Sequence, residues 1–485
     1  MHHRVERYRL HKQDFQISST HFLRISYNPT TMSQPNFIVF LTDDQGYGDL
    51  SCMGATDFHT PHLDQLAASG VRFTDWYANS PVCSPSRAAL LTGRYPGNAG
   101  VRSILGGHRT TTGLLPEVPT LASALHKHGY ATAMFGKWHL GLADGCRPHD
   151  HGFNEWFGFL AGCVDYYSHI FYWGMGGGYN PTHDLWENNQ EVYRNGQYLT
   201  EVITDKAINY IRRMAKSKQP FFLYVPYNAP HYPMHAPPKY LDRFPRLSPD
   251  RRIMAAMLSA VDDGVGAIRS ELERQGILNN TCIFFQSDNG PSRETRNWLD
   301  GRTDPYYGGT SGKLKGHKFS LYEGGIRVPA LLSWPGHIPA HQVLSEPAAA
   351  MDIFPTFLQA AGVSTTGYEI DGTNILPLVT QKAKSPHREI FWEMDKQTAV
   401  RQGQWKLVLN GQLVEGAAPQ DAVHLANLQN DMGEQHNLKD EHPEVVAELT
   451  KLAQDWRARI ETRWQNEWLP RSRGTTTHNA QPGSE

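Results

Sequence analysis

Short unbroken apolar runs alternate with amphipathic stretches along most of this chain. NFIVFL at 36–41 predicts a strand buried on both faces, ending in Asp43 and Asp44. TPHLDQLAASG at 60–70 has helical spacing and a glycine stop, and VRFTDWYA follows as a strand. PTLASALHKHGY predicts a helix leading into the strand ATAMFG. A helix over 200–216 precedes PFFLYVPY, and a long helix from about 250 to 275 precedes TCIFFQSDNG. This alternation predicts the α/β class: a mainly parallel central sheet with helices on both faces.

Beyond about residue 380 the pattern changes. EIFWEM, QTAVRQGQWKLVLN and AVHLANL predict short antiparallel strands, and a last helix covers about 443–464. The expected organisation is a large domain over 32–380 and a smaller α+β subdomain over 381–470. Residues 1–31 are expected to be a disordered extension, 471–485 a disordered tail, and GMGGGYN at 174–180 a flexible loop. SPVCSPSRAALLTGR at 80–94 predicts a short helix with Ser84 as N-cap, Pro85 at the first helical position and Gly93 as its stop.

Open parallel sheets carry their chemistry in loops at the carboxyl ends of the strands. Asp43 and Asp44, Lys137 and His139, His231, and Asp288 and Asn289 all follow such strands. Each has an ordinary reading as well: a cap, a solvated loop, a structural histidine, an Asn-Gly turn. Adjacent carboxylates repel, and a hard divalent cation is the usual remedy. Asp43, Asp44, Asp288 and Asn289 offer an all-oxygen site that fits Ca²⁺ best and admits Mg²⁺ or Mn²⁺, whereas Zn²⁺ would want His or Cys. If FGKWHLG is extended, Lys137 and His139 point to one side. LKGHKFSLYEGG offers Lys315 and Lys318. Cys83 lies at a helix mouth with Arg87 a turn behind, and PHDHG at 148–152, without a strand-end partner, reads as structural. The set of cations beside a metal suits a tetrahedral oxyanion ester, sulfate or phosphate.

Composition narrows the field. With 46 Lys and Arg against 48 Asp and Glu the net charge is −2, and no long basic run appears, so no nucleic-acid partner is expected. No stretch approaches 18 consecutive apolar residues, so no membrane span is expected, and residues 1–31 lack the apolar core of a secretory signal. The expected location is therefore cytoplasmic. The five cysteines are odd in number and lack metal-ligand spacing, which predicts buried free thiols for most of them.

The segment from Cys83 to Gly93 resembles the C-x-P-S-R-x-x-x-L-T-G signature of the type I sulfatases, of the alkaline phosphatase-like superfamily. LTDDQGYGDL, GYATAMFGKWHLG, QSDNG, YEGGIRVP, MDIFPTFLQAAG and NDMGEQHNL are similar to further family blocks, and the likeness spans about 36–465. The block pattern is closer to arylsulfatases and N-acetylgalactosamine sulfatases than to choline sulfatases. The resemblance implies that Cys83 is oxidised to formylglycine by a formylglycine-generating or sulfatase-maturing enzyme. It implies one calcium ion on Asp43, Asp44, Asp288 and Asn289, and a catalytic set of Cys83, Arg87, Lys137, His139, His231 and Lys318. Lys318 is preferred to Lys315 because it stands four residues before Tyr322, as in the family pattern. The expected activity is hydrolysis of a sulfated carbohydrate, glycosaminoglycan-derived fragments among the candidates, or of an aryl sulfate. The alternatives are a phosphonate monoester or phosphodiester hydrolase of the same superfamily and a non-catalytic carbohydrate-binding protein. The aromatic-rich stretch 159–189 is expected to line the pocket mouth.

Overall fold

The computed structural model describes residues 34–172, 181–294 and 305–471. The expected 1–31 extension, the 174–180 loop and all of the 471–485 tail except Arg471 lie outside them. The central sheet has ten strands: β1 (Asn36–Thr42), β2 (Val71–Phe73), β3 (Ala131–Lys137), β4 (Glu155–Phe159), β5 (Trp186–Glu187), β6 (Gln190–Glu191), β7 (Phe221–Pro226), β8 (Thr281–Ser287), β9 (Ala330–Ser333) and β10 (Gln342–Leu344). Their order across the sheet is β10-β2-β9-β8-β1-β7-β3-β4-β5-β6. The middle five, β8 to β4, are parallel neighbours, while β9, β5 and β6 pair antiparallel at the flanks.

β1 shows why the sequence has to be apolar throughout. Phe37, Val39 and Leu41 face one core, with α2 (Cys83–Thr92), α3 (Leu121–His126) and α6 (Ile353–Ala360). Ile38 and Phe40 face the other, with α1 (Pro61–Ala68), α4 (Leu199–Ser217) and α5 (Pro249–Arg274). Alternate side chains of one strand thus serve two opposite helical layers, so no position is left for a polar residue. The expected fold class holds.

Close strand approach beside Lys137 depends on glycine. Gly136 adopts φ +137°, and a Cβ there would lie 2.0 Å from the Pro226 carbonyl oxygen. Its register partner Gly158 would meet Gly136 O at 1.8 Å.

The C-terminal sheet is antiparallel, in the order β11 (Glu389–Met394), β12 (Gln397–Gln402), β13 (Trp405–Gly411), β14 (Asp421–Asn427), and is flanked by α7 (Pro443–Arg463). A buried charge network joins it to the larger sheet. Lys406 Nζ sits 2.8 Å from Glu323 Oε1 and 3.1 Å from Glu434 Oε1, all three side chains fully buried. Arg327 pairs with Glu323 and Asp75, and Arg401 reaches Asp75 and the Tyr77 hydroxyl. Burial and then the neighbouring Glu323 push the Glu434 carboxyl up to about 7, with Lys406 opposing, whereas Lys406, Arg327 and Arg401 outweigh burial at Glu323 and hold it down to about 2. Among the described residues no helix is long and apolar enough to cross a membrane.

Removing one member of a buried ion network leaves its partners uncompensated. Lys406→Met is expected to destabilise the protein by about 3–5 kcal/mol, read as a lowered thermal midpoint. A midpoint equal to the wild type would show that the seam carries no net stability.

Candidate active site

The four parallel strands β8, β1, β7 and β3 end side by side, and their carboxyl ends supply the charged residues. Asp43 and Asp44 close β1; the Asp43 amide donates to Ala229 O beyond β7 (3.1 Å). Asp44 turns into the left-handed region at φ +64°, and its amide donates to Asp288 Oδ1 (3.1 Å). The Asp288 amide donates back to Thr42 O (3.0 Å), so the two strand ends lock each other. Gly290 lets the next turn approach, because a Cβ there would lie 1.9 Å from Gly324 O. Asn289 Nδ2 donates to Asp44 Oδ1 (2.7 Å), which leaves Asn289 Oδ1 as a buried acceptor without a hydrogen-bond partner.

α2 brings its first turn to this cluster. It starts at Cys83 with Val82 as N-cap, two residues earlier than the expected Ser84 cap. Ser84 Oγ instead accepts the Leu105 amide at 3.1 Å, and Pro85 moves to the third helical position, where its missing N–H still costs no intrahelical bond. Gly93 ends the helix at φ +70°, as expected. Cys83 Sγ lies 3.4 Å from Asp43 Oδ1 and is buried, which pushes the thiol well above its ordinary range. Arg87, one turn on, directs Nε and Nη2 to Asp288 Oδ2 (3.1 and 2.7 Å) and Nη1 to the Lys137 carbonyl (3.1 Å). Burial and then Asp43 push the Asp288 carboxyl up to about 6, against the pull of Arg87.

Two lysines complete the charge balance. Lys137 Nζ donates to Asp43 Oδ2 at 2.6 Å. Lys318 Nζ donates to Asp44 Oδ2 (3.0 Å) and Glu294 Oε2 (2.9 Å) and lies 3.4 Å from His231 Nε2. Burial favours neutral Asp44, but Lys318, His231 and Lys137 outweigh it and hold the carboxyl down to about 2. Lys315 goes elsewhere: its amine lies over the Tyr322 ring and donates to Glu434 O.

The histidines are held as neutral rings. His231 Nδ1 lies 2.8 Å from Tyr232 O, which places the ring proton on Nδ1 and leaves Nε2 toward Lys318 and Asp44. Burial, with Lys318 next, brings His231 down to about 4. β3 ends at Lys137, and His139 takes φ +56°, so the expected extended Lys-x-His geometry is not what forms. His139 Nε2 faces Leu105 O at 3.0 Å, and Nδ1 is a buried nitrogen without a hydrogen-bond partner. Burial and then Lys137 keep His139 well below the usual histidine range.

The structure therefore gathers Asp43, Asp44, Asp288, Asn289, Cys83, Arg87, Lys137, Lys318 and His231 into one contact network. His139 joins through Leu105, which also contacts the residue beside Cys83. Potential ligand atoms of Asp43, Asp44, Cys83 and His231 lie within 4.8 Å of one another. Glu294 and Tyr166 escape the sequence reading. Glu294 sits in a polar loop with no strand-end signal. Tyr166 belongs to the aromatic stretch expected at the pocket mouth, yet it is fully buried and its hydroxyl donates toward Asn228 O (2.8 Å) and His231 O (2.9 Å). It is a strut beneath the His231 turn.

A family profile described as Sulfatase matches residues 35–363, and one described as N-sulphoglucosamine sulphohydrolase, C-terminal, matches 316–459. The chain is 34% identical to N-acetylgalactosamine-6-sulfatase of Mus musculus over 404 residues, covering 77% of this chain and 71% of that one. It is 33% identical to arylsulfatase A of Homo sapiens over 467 residues, covering 86% and 87%. Among solved structures it resembles Ps i-CgsB, with a TM-score of 0.79, 33% identity, and 92% and 96% of the two chains covered. That protein has also been crystallised in complex with k-i-k-neocarrahexaose. A family profile spanning most of the catalytic sheet, joined to relatives of this identity and coverage, settles the matter: the chain belongs to the sulfatase family and is a sulfuric ester hydrolase.

Proposed function

We propose that this sulfatase removes sulfate from a sulfated carbohydrate, using a formylglycine made from Cys83 and a calcium ion on Asp43, Asp44, Asp288 and Asn289. The observation that carries this reading is the convergence of Cys83 with three buried carboxylates and the unpartnered Asn289 Oδ1. An all-oxygen donor set suits a hard cation, and the free amide oxygen is the acceptor such an ion would satisfy. The carbohydrate substrate is supported by the name of the N-acetylgalactosamine-6-sulfatase relative and by the oligosaccharide bound to Ps i-CgsB.

Formal charge supports an anionic substrate. Arg87, Lys137 and Lys318 give +3 against −4 from Asp43, Asp44, Asp288 and Glu294, a balance of −1. A dication turns −1 into +1, the sign that attracts a sulfate ester.

Converted to formylglycine, residue 83 would supply an aldehyde hydrate: one hydroxyl would attack sulfur as its proton passes to the neighbouring Asp43 Oδ1 and the bond from sulfur to the ester oxygen breaks, and deprotonation of the second would expel sulfate and restore the aldehyde. A bound calcium ion supplies positive charge to the sulfate oxygens. Asp43 Oδ1 accepts a hydrogen bond from the residue 83 side chain, and Lys137 and Arg87 orient the carboxylates around it. Lys318 Nζ offers its ammonium to a sulfate oxygen once substrate competes for it with Asp44 and Glu294. The negative charge of the ester favours a protonated His231 Nε2, which passes its proton to the leaving oxygen with Lys318 beside it. His139 Nδ1, neutral and unpaired, accepts the proton from the second hydroxyl.

Four outcomes are expected. Cys83→Ala should abolish sulfate release, by more than about 10³-fold, while circular dichroism and thermal midpoint stay near wild type. In the active protein the peptide spanning residue 83 should be lighter than the cysteine form by about 18 Da; full turnover by an unmodified thiol would remove formylglycine from the reading. Chelation should lower the thermal midpoint, and calcium should restore it by about 2.7 kcal/mol at a hundredfold excess over Kd; Asn289→Ala should weaken that response, and indifference to calcium in both proteins would exclude the site. Matched aryl esters should show higher kcat/KM for sulfate than for phosphodiester, and the reverse ranking would point to the phosphodiesterase alternative.

A further inference from the structure

Lys318 stands next to a residue in an unusual conformation. Phe319 has φ +72°, in the left-handed region that a residue with a Cβ adopts only when its surroundings impose it. Three backbone contacts hold the loop: Lys318 N to Pro291 O (3.0 Å), Phe319 N to Pro81 O (3.0 Å) and His317 N to Leu413 O (3.1 Å). A further constraint comes from one side chain of the C-terminal sheet. Gln397, the first residue of β12, is 1% exposed. Its Nε2 donates to Phe319 O at 2.7 Å, and its Oε1 accepts from Leu321 N at 3.2 Å and from Gln412 N at 3.0 Å. One amide thus grips both sides of the Phe319–Leu321 segment and ties it to the β13–β14 connection. β12 is itself fixed by Arg457, whose Nη1 donates to Gln397 O at 2.9 Å.

We infer that Gln397 is a positioning residue for Lys318. Through Phe319 and Leu321 it sets where the Lys318 ammonium stands between Asp44, Glu294 and His231. This rests on the reading of Lys318 given above, and it assigns the C-terminal sheet a part in the chemistry as well as in stability. A long side chain projecting from a loop is only as well placed as its backbone, and loss of such supporting hydrogen bonds costs activity without removing any group that meets substrate.

The test is a double-mutant cycle between Gln397 and Lys318 on the calcium-loaded, formylglycine-bearing enzyme. Rates are measured on aryl sulfates of rising leaving-group pKa and normalised to the converted fraction at residue 83. Q397M keeps the volume and removes the three side-chain hydrogen bonds. Q397E keeps the acceptor toward Leu321 N and Gln412 N but sets a carboxylate oxygen against Phe319 O, and it carries the same cycle if Q397M does not fold. Q397M should lower kcat by roughly 10–100-fold, with KM little changed and the loss growing with leaving-group pKa. In the K318A background either substitution should cost less than about twofold. Equal losses with and without Lys318, or across all leaving groups, would mark Gln397 as merely structural and overturn the inference. If the wild type releases no sulfate, or if K318A is as active as wild type, the reading of Lys318 fails instead.

Discussion

Three carboxylates buried at neighbouring strand ends are the constraint on which this molecule is built. Asp43, Asp44 and Asp288 have lost bulk water, and their mutual repulsion in a low-dielectric interior opposes folding unless cations stand beside each. Arg87, Lys137 and Lys318 do so, one beside each carboxylate: Asp288, Asp43 and Asp44. Each of these cations comes from a different part of the chain. The site is thus also a structural junction, where α2, β3 and the loop before the C-terminal sheet are fastened to the ends of β1 and β8.

Parallel topology makes that junction possible. Strands β8, β1, β7 and β3 run in register, so four chain segments far apart in sequence deliver their last residues to one edge. Two helical layers cover both faces of the sheet, and the charged residues meet, buried, at its carboxyl edge. Glycines 136, 158 and 290 bring the backbone close enough for the side chains to interlock. The C-terminal sheet then closes the far side, through Glu323, Lys406 and Glu434 at its seam and Gln397 nearer the chemistry.

Much of this was legible in the sequence because unbroken apolar runs of strand length admit few arrangements. NFIVFL, ATAMFG, PFFLYVPY and TCIFFQSD could only be buried strands, and the polar residues that follow them had to meet at one edge. The helix at 83–92 was legible from Pro85 and Gly93, although its start was displaced by two residues because Ser84 is used for a tertiary contact. Lys137 and His139 were legible as residues of interest, but not their geometry, since a left-handed His139 has no local sequence signal. Glu294, Tyr166, Gln397 and Lys406 were not legible. Each has a distant partner, Lys318 being 24 residues from Glu294, His231 65 from Tyr166, Leu321 76 from Gln397 and Glu323 83 from Lys406, and nothing in their neighbours distinguishes a buried polar residue from a solvated one.

The same separation governs when the pocket closes. Asp44 and Asn289 are 245 residues apart, as are the strands that carry them. During synthesis the ten residues of α2 are made long before β8, and a helix that short is marginal until tertiary packing supports it. The packing that buries Cys83 waits for β8, which is completed some two hundred residues later, roughly 10–40 s at ordinary elongation rates. For that interval the cysteine is an accessible side chain on a growing polypeptide. Any enzyme that must chemically alter it has that window, and loses it when the ends of β1 and β8 lock.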